Sequence, residues 1–140
     1  MFVRSWLVGA LALGLSGAVW GTPLQDATEH FDAVAAGEVA RVMQPYATQA
    51  TFHWIGGPLD GTYTGPESIR SVWTKFSKAN APLKVTVSHL EQSANPKGAT
   101  VTANVGFHGK STIKVRYVLV YRAGKLVNEV WQIDPQLKTE

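Results

Sequence analysis

Three residues near the C-terminal end of the chain, Arg116, Glu129 and Trp131, combine a permanent cation, a carboxylate and a large aromatic surface. They lie on two alternating apolar runs, Thr112 to Tyr121 and Leu126 to Ile133, joined by a tight turn at Ala123-Gly124. If Arg122 and Lys125 flank that turn, Arg116 falls opposite Trp131 and Val118 opposite Glu129, so all three share one face of the hairpin. Tyr117, Leu119, Tyr121 and Val130 take the other. A guanidinium beside indoles can hold a carboxylate or phenolate and stack its ring, with Trp54 as a further stacking surface. Glu129 would then orient the arginine or act as a base. The same residues also fit a structural Arg–Glu pair beside a core tryptophan, because a buried arginine needs a partner in either case.

The remaining candidates for chemistry are weaker. Histidine titrates near neutrality, but His53 points away from Trp54 by strand alternation and reads as a turn or surface residue. His89 reads as packed at the end of an apolar strand face, and His30 and His108 as exposed. The four histidines have no metal-ligand spacing, so no metal is expected. There is no cysteine, no G-x-S-x-G elbow and no phosphate loop, and no cofactor is expected. Asp60, before Gly61, reads as a turn residue.

The stretch Phe52 to Phe76 must position these groups. Gly56-Gly57-Pro58 stops a first strand, predicted over Ala50 to Ile55. Thr62-Tyr63-Thr64 makes a short second strand, and Pro66 opens a helix whose stripe is Ile69, Val72, Trp73 and Phe76. Upstream, Leu24, Ala27, Phe31, Val34 and Ala35 predict a helix over about Pro23 to Ala36, ended by Gly37 in a left-handed cap. A second, short helix follows over Glu38 to Gln44. Beyond Pro82 the period becomes two. It gives a strand through Leu83, Val85, Val87 and His89, a turn at Asn95-Pro96-Lys97-Gly98, a strand over Ala99 to Phe107, and the hairpin described first. Both faces of that hairpin are apolar, so each needs a cover. The helices can cover one and a second copy of the chain the other.

With 140 residues the chain supports one domain. A basic start at Met1 to Arg4, an apolar run from Trp6 to Val19 and small residues near Gly21 predict a secretory signal peptide over residues 1–21, leaving a domain over 22–140 in the periplasm or secreted. The apolar run falls short of the ~20 residues a membrane span needs, so no membrane attachment is expected after leader cleavage. The lysines are scattered, which gives no reason to expect a nucleic-acid partner.

Taken together, His30 to Glu38, Pro45-Tyr46-Ala47 with Ala50-Thr51-Phe52, Tyr63 to Arg70, and Gly124 to Val127 followed by Trp131 to Asp134 resemble the nuclear transport factor 2-like superfamily. This group includes SnoaL-like and ketosteroid isomerase-like proteins. The resemblance implies an α+β fold, a curved antiparallel sheet wrapped around three helices as a cone. Ketosteroid isomerases use a tyrosine, a carboxylate base and a protonated acid. Their counterparts here are Phe31, Trp54 and Arg116, none of which can serve, so that mechanism is not expected. The same matching implies a cavity lined by Lys114, Arg116, Val118, Glu129, Trp131, Ile133, Val101 and Ala103, closed by Phe31, Trp54 and Trp73. It also implies a homodimer through the opposite face, with Val115, Tyr117, Leu119, Tyr121 and Val130. The expected function is binding of a small apolar, anionic molecule at Phe31, Trp54, Trp73, Arg116, Glu129 and Trp131. One alternative is a SnoaL-like enzyme with Glu129 as base. Another is a dimeric interaction module whose cavity is filled by its own tryptophans.

Overall fold

The computed structural model describes residues 21–140. The leader read over residues 1–21 therefore lies, except for Gly21, outside the described residues. Among the described residues no helix is long and apolar enough to cross a membrane.

Helix α1 (Pro23–Ala36) begins where the sequence demands. Thr22 accepts from the Gln25 backbone while the Gln25 side chain accepts from Thr22 N–H, and Pro23 occupies the first turn. It ends at Gly37, whose φ of 74° few other residues adopt. A Cβ at Gly37 would meet the Ala81 Cβ at 2.5 Å, so the glycine also lets two helix ends approach closely. Helix α2 (Val39–Met43) follows, then β1 (Tyr46–Ile55) and β2 (Gly61–Thr64). Helix α3 (Pro66–Asn80) buries Ile69, Val72, Trp73 and Phe76, the stripe predicted for it. Strands β3 (Lys84–Asn95), β4 (Gly98–His108), β5 (Thr112–Arg122) and β6 (Lys125–Ile133) complete the chain.

The six strands form one sheet in the order β2-β1-β6-β5-β4-β3. Every pairing is antiparallel except β1 with β6, where the N-terminal ribbon joins the C-terminal meander. The sheet curves around the three helices, and the core fills its concave side: an α+β cone.

The faces of β5 are the reverse of those expected. The turn holds the predicted pairs Arg122–Lys125 and Tyr121–Leu126, but the next pair is Val120 with Asn128, which leaves Val127 as an extra residue on β6. This β-bulge moves the register by one, and a one-residue slip exchanges inside for outside. Trp131 therefore pairs with Tyr117 and Glu129 with Leu119. Val115, Tyr117, Leu119 and Tyr121 are buried in the core rather than available to a second subunit. Arg116 and Val118 face outward with Val130. A second bulge, between Ser88 and Glu91, carries His89 at φ 52°. His89 is exposed there, not packed, because the bulge breaks the alternation that would have turned it inward.

Candidate functional site

Glu129 is completely buried at the centre of the cone, a position that demands full pairing. Strand β6 delivers it, and the bulge aims it inward. Four elements supply its surroundings. Tyr46, at the start of β1, donates its hydroxyl to Glu129 Oε1 in a short hydrogen bond. Tyr117 on β5 donates to Oε2 at 2.5 Å, and His30 Nε2 on α1 lies 2.7 Å from the same oxygen. Trp73 Nε1 on α3 donates to the Tyr46 hydroxyl at 2.8 Å. The network thus ties both long helices to three strands.

Burial raises the Tyr46 and Tyr117 phenols well above their ordinary range, and the Glu129 charge raises them further. Both stay neutral donors. The consequence for stability has a definite sign. The unfolded chain releases these protons near pH ~10 while the native state keeps them, so the native state binds more protons and stability falls as pH rises. Two tyrosines give a slope of roughly 2.7 kcal/mol per pH unit above ~10. Urea midpoints measured across that range should fall steeply, and Tyr46→Phe/Tyr117→Phe should flatten the fall. An equally steep fall in the double variant would refute the assignment.

Around the network the interior is filled with rings. Trp54 stacks on Trp131 at 4.5 Å, Phe107 on Trp131 at 5.0 Å and Phe52 on Trp73 at 5.1 Å. Phe31 lies 4.8 Å from Tyr117, and Phe76 packs 5.3 Å from both Trp54 and Trp131. Five of the six expected site residues, Phe31, Trp54, Trp73, Glu129 and Trp131, therefore meet in one cluster, but as packed core. The sixth, Arg116, lies on the outer face and donates to Asn104 Oδ1 at 3.1 Å. It forms no pair with Glu129, because the bulge put them on opposite sides of the sheet.

Space remains at the mouth of the cone, where β1 and β6 end and β5 begins. A cavity of about 470 Å³ is lined by Trp54, Leu59, Phe76, Ile113 and Ile133, together with Lys75 and Lys114. Among the described residues no carboxylate lines it. Of the expected cavity residues, Trp54, Lys114 and Ile133 reach this space; Glu129 does not.

His30 is the clearest miss: it is 3 % exposed rather than solvent-facing. The signal was present, since His30 follows Ala27 by three residues and precedes Val34 by four on the buried stripe of α1. Tyr46 and Tyr117 were visible as residue types but not as partners of Glu129. His53 is half-buried and His108 bridges Thr86 and Thr112 at 2.8 and 3.0 Å. Asp60 accepts from the Gly56 N–H at 2.8 Å, closing the turn as expected. Among the described residues no group of three or more histidine, cysteine or acidic side chains could hold a metal ion.

A curved sheet wrapped around three helices, with an aromatic interior and an apolar mouth, defines the nuclear transport factor 2-like or cystatin-like cone. The SnoaL-like domain family matches residues 27–128, and the chain belongs to it. Among solved structures it is similar to a nuclear transport factor 2-like protein of unknown function from Pseudomonas putida, with TM-score 0.68, 16 % identity, and coverage of 82 % of this chain and 86 % of that one. It is also similar to a putative calcium/calmodulin-dependent protein kinase II association domain from Xanthomonas campestris, with TM-score 0.64, 17 % identity, and coverage of 81 % and 87 %. A third is an uncharacterised cystatin-like protein from Caulobacter vibrioides, with TM-score 0.63, 15 % identity, and coverage of 80 % and 87 %. At these identities the likeness is one of fold. No curated protein matches the sequence.

Proposed function

We propose that this SnoaL-like domain binds a small, mostly apolar anion at the mouth of the cone, without catalysing its conversion. The observation that carries the reading is the mouth cavity itself: aromatic and aliphatic walls, two lysines in the lining and, among the described residues, no carboxylate. A volume of 470 Å³ suits a small ligand, and sparse polar groups at an apolar pocket set orientation. These lysines take the anchoring role that Arg116 was expected to hold. Glu129 as a catalytic base has little support, because a base must reach a substrate proton. Both its oxygens are already engaged.

The test is a thermal-shift and calorimetric screen of aromatic and alicyclic carboxylates beside their neutral amides. Acids should bind more tightly than amides. Lys75→Ala/Lys114→Ala should weaken acid binding roughly tenfold, from one exposed and one half-buried charge contact of about 1 kcal/mol or less each, whereas Arg116→Ala should leave it unchanged. Equal binding of acid and amide, or no binding of either, would defeat the proposal.

The filled interior also favours a role in self-association. Val118 and Val130 pair on the outer face and, with Val120, make a half-exposed apolar strip beside Arg116. A homodimer through this face would cover it. Sedimentation of the wild type should then show a dimer that Val118→Lys/Val130→Lys converts to folded monomer; a monomeric wild type ends that reading. The leader pattern in residues 1–21 supports export to the periplasm or beyond, where the ligand would be encountered.

A further inference from the structure

Most of the mouth cavity is lined by helix and strand, but Pro58 and Leu59 reach it from the loop between β1 and β2, residues 56–60. The last rung of the β1–β2 ladder joins Trp54 to Gly61, so the whole loop lies beyond it. Side chains hold it down instead. The Tyr63 hydroxyl donates to the Leu59 carbonyl oxygen at 2.6 Å, and the Gly56 N–H donates to Asp60 Oδ2 at 2.8 Å. Inside the loop the Asp60 N–H reaches the Gly57 carbonyl oxygen at 3.3 Å, a long bond.

The loop's two ends behave differently. Leu59 is half-buried and packs against the core. Gly56 and Gly57, at φ 103° and 74°, lie against Ile133, itself part of the cavity lining. A Cβ at Gly56 would come within 3.2 Å of Ile133 Cβ, and one at Gly57 within 3.3 Å of Ile133 Cδ1. Glycine therefore lets the loop settle on the cavity lining and also turn away from it. A segment held by few hydrogen bonds and one partly buried leucine opens far more cheaply than the sheet beside it.

We propose that residues 56–60 form a lid over the mouth cavity, with Leu59 as its inner face and the Tyr63 hydroxyl as its latch. A ligand passes when the latch breaks and Leu59 leaves the cavity, the two glycines absorbing the change in backbone angle. The gating rests on the mouth being the binding site, whereas the opening of the loop is measurable with no ligand present.

Hydrogen exchange followed by NMR tests the opening, with Tyr63→Phe as the variant. The substitution keeps the ring beside Phe52 and removes only the hydroxyl. Exchange of the Gly56 and Asp60 amides should rise roughly three- to tenfold, the worth of one hydrogen bond, while amides of the β4–β5 ladder stay unchanged. No change in the loop, or equal acceleration of loop and ladder, would overturn the lid. For the gate, cyclohexanecarboxylate is the probe, and line shapes of the Trp54 indole N–H during titration give its rates. Association and dissociation should both quicken by the same factor in Tyr63→Phe, leaving Kd unmoved. Faster dissociation alone would make Tyr63 an ordinary contact and overturn the gate. Unchanged rates with the probe bound defeat the gate and leave the mouth reading standing; no binding of the probe defeats both.

Discussion

Glu129→Ala is expected to destabilise the fold by about 3–5 kcal/mol, because it removes the acceptor shared by three buried donors. Tyr46, Tyr117 and His30 would each lose the acceptor of a buried donor, and Tyr46 would keep only the N–H it accepts from Trp73. For a domain of this size such a loss lowers Tm by roughly 10–20 °C. Glu129→Gln should cost less, about 2 kcal/mol, since its amide oxygen still accepts from one hydroxyl while its NH2 opposes the others. Tyr117→Phe removes one donor to a charged acceptor and should cost roughly 1.5–3 kcal/mol. Urea unfolding of the three variants checks this order. A Glu129→Ala protein within about 1 kcal/mol of wild type would mean the network is not held as described. Destabilisation here, with binding at the mouth intact in Glu129→Gln, would further separate the carboxylate from ligand recognition.

Trp131→Ala should cost a similar amount, about 3–5 kcal/mol, through a different cause. Trp131 is fully buried and touches Trp54, Phe107, Trp73, Phe76 and Tyr117. Its removal leaves a void that so many rigid rings cannot close by small shifts. Trp131→Phe should lose considerably less. It keeps part of the stacking surface, and it deletes an indole N–H that is buried without a partner among the described residues. Added indole should raise the melting temperature of Trp131→Ala and leave the wild type unmoved. Absence of rescue, with the variant still folded, would show that the interior collapses instead of holding a cavity.

The bulge at Val127 shows why the site was only half legible. The turn residues Ala123-Gly124 fix the first two pairs of the last hairpin, and those pairs are present in the structure. Beyond them, both faces of β5 and β6 are apolar enough that either register reads well, so nothing in the alternation opposes a one-residue slip. No glycine or proline marks the bulge. As a result Arg116, the expected anchor, points outward, and Tyr117 takes the inner position. Glu129, read as a base or as the partner of Arg116, stood out in the sequence, since a lone carboxylate between Asn128 and Val130 on an apolar strand is conspicuous. Its partners were not, because they lie 83, 12 and 99 positions away in the chain.

The sequence by itself determined the elements and the class of fold. Capping at Thr22 and Gly37, Pro66 opening α3, the Ile69–Phe76 stripe and the change of period after Pro82 are local signals, set by backbone geometry and by which side of one element is apolar. Only the tertiary structure decided which residues meet. It chose the register of the last hairpin, packed Trp73 and Trp131 into a solid interior while leaving Trp54 on a cavity wall, caged Glu129, and left open space at the two ends of the cone. Those outcomes depend on shape fit and on pairing buried polar groups between elements distant in the chain, and no window of sequence contains both partners.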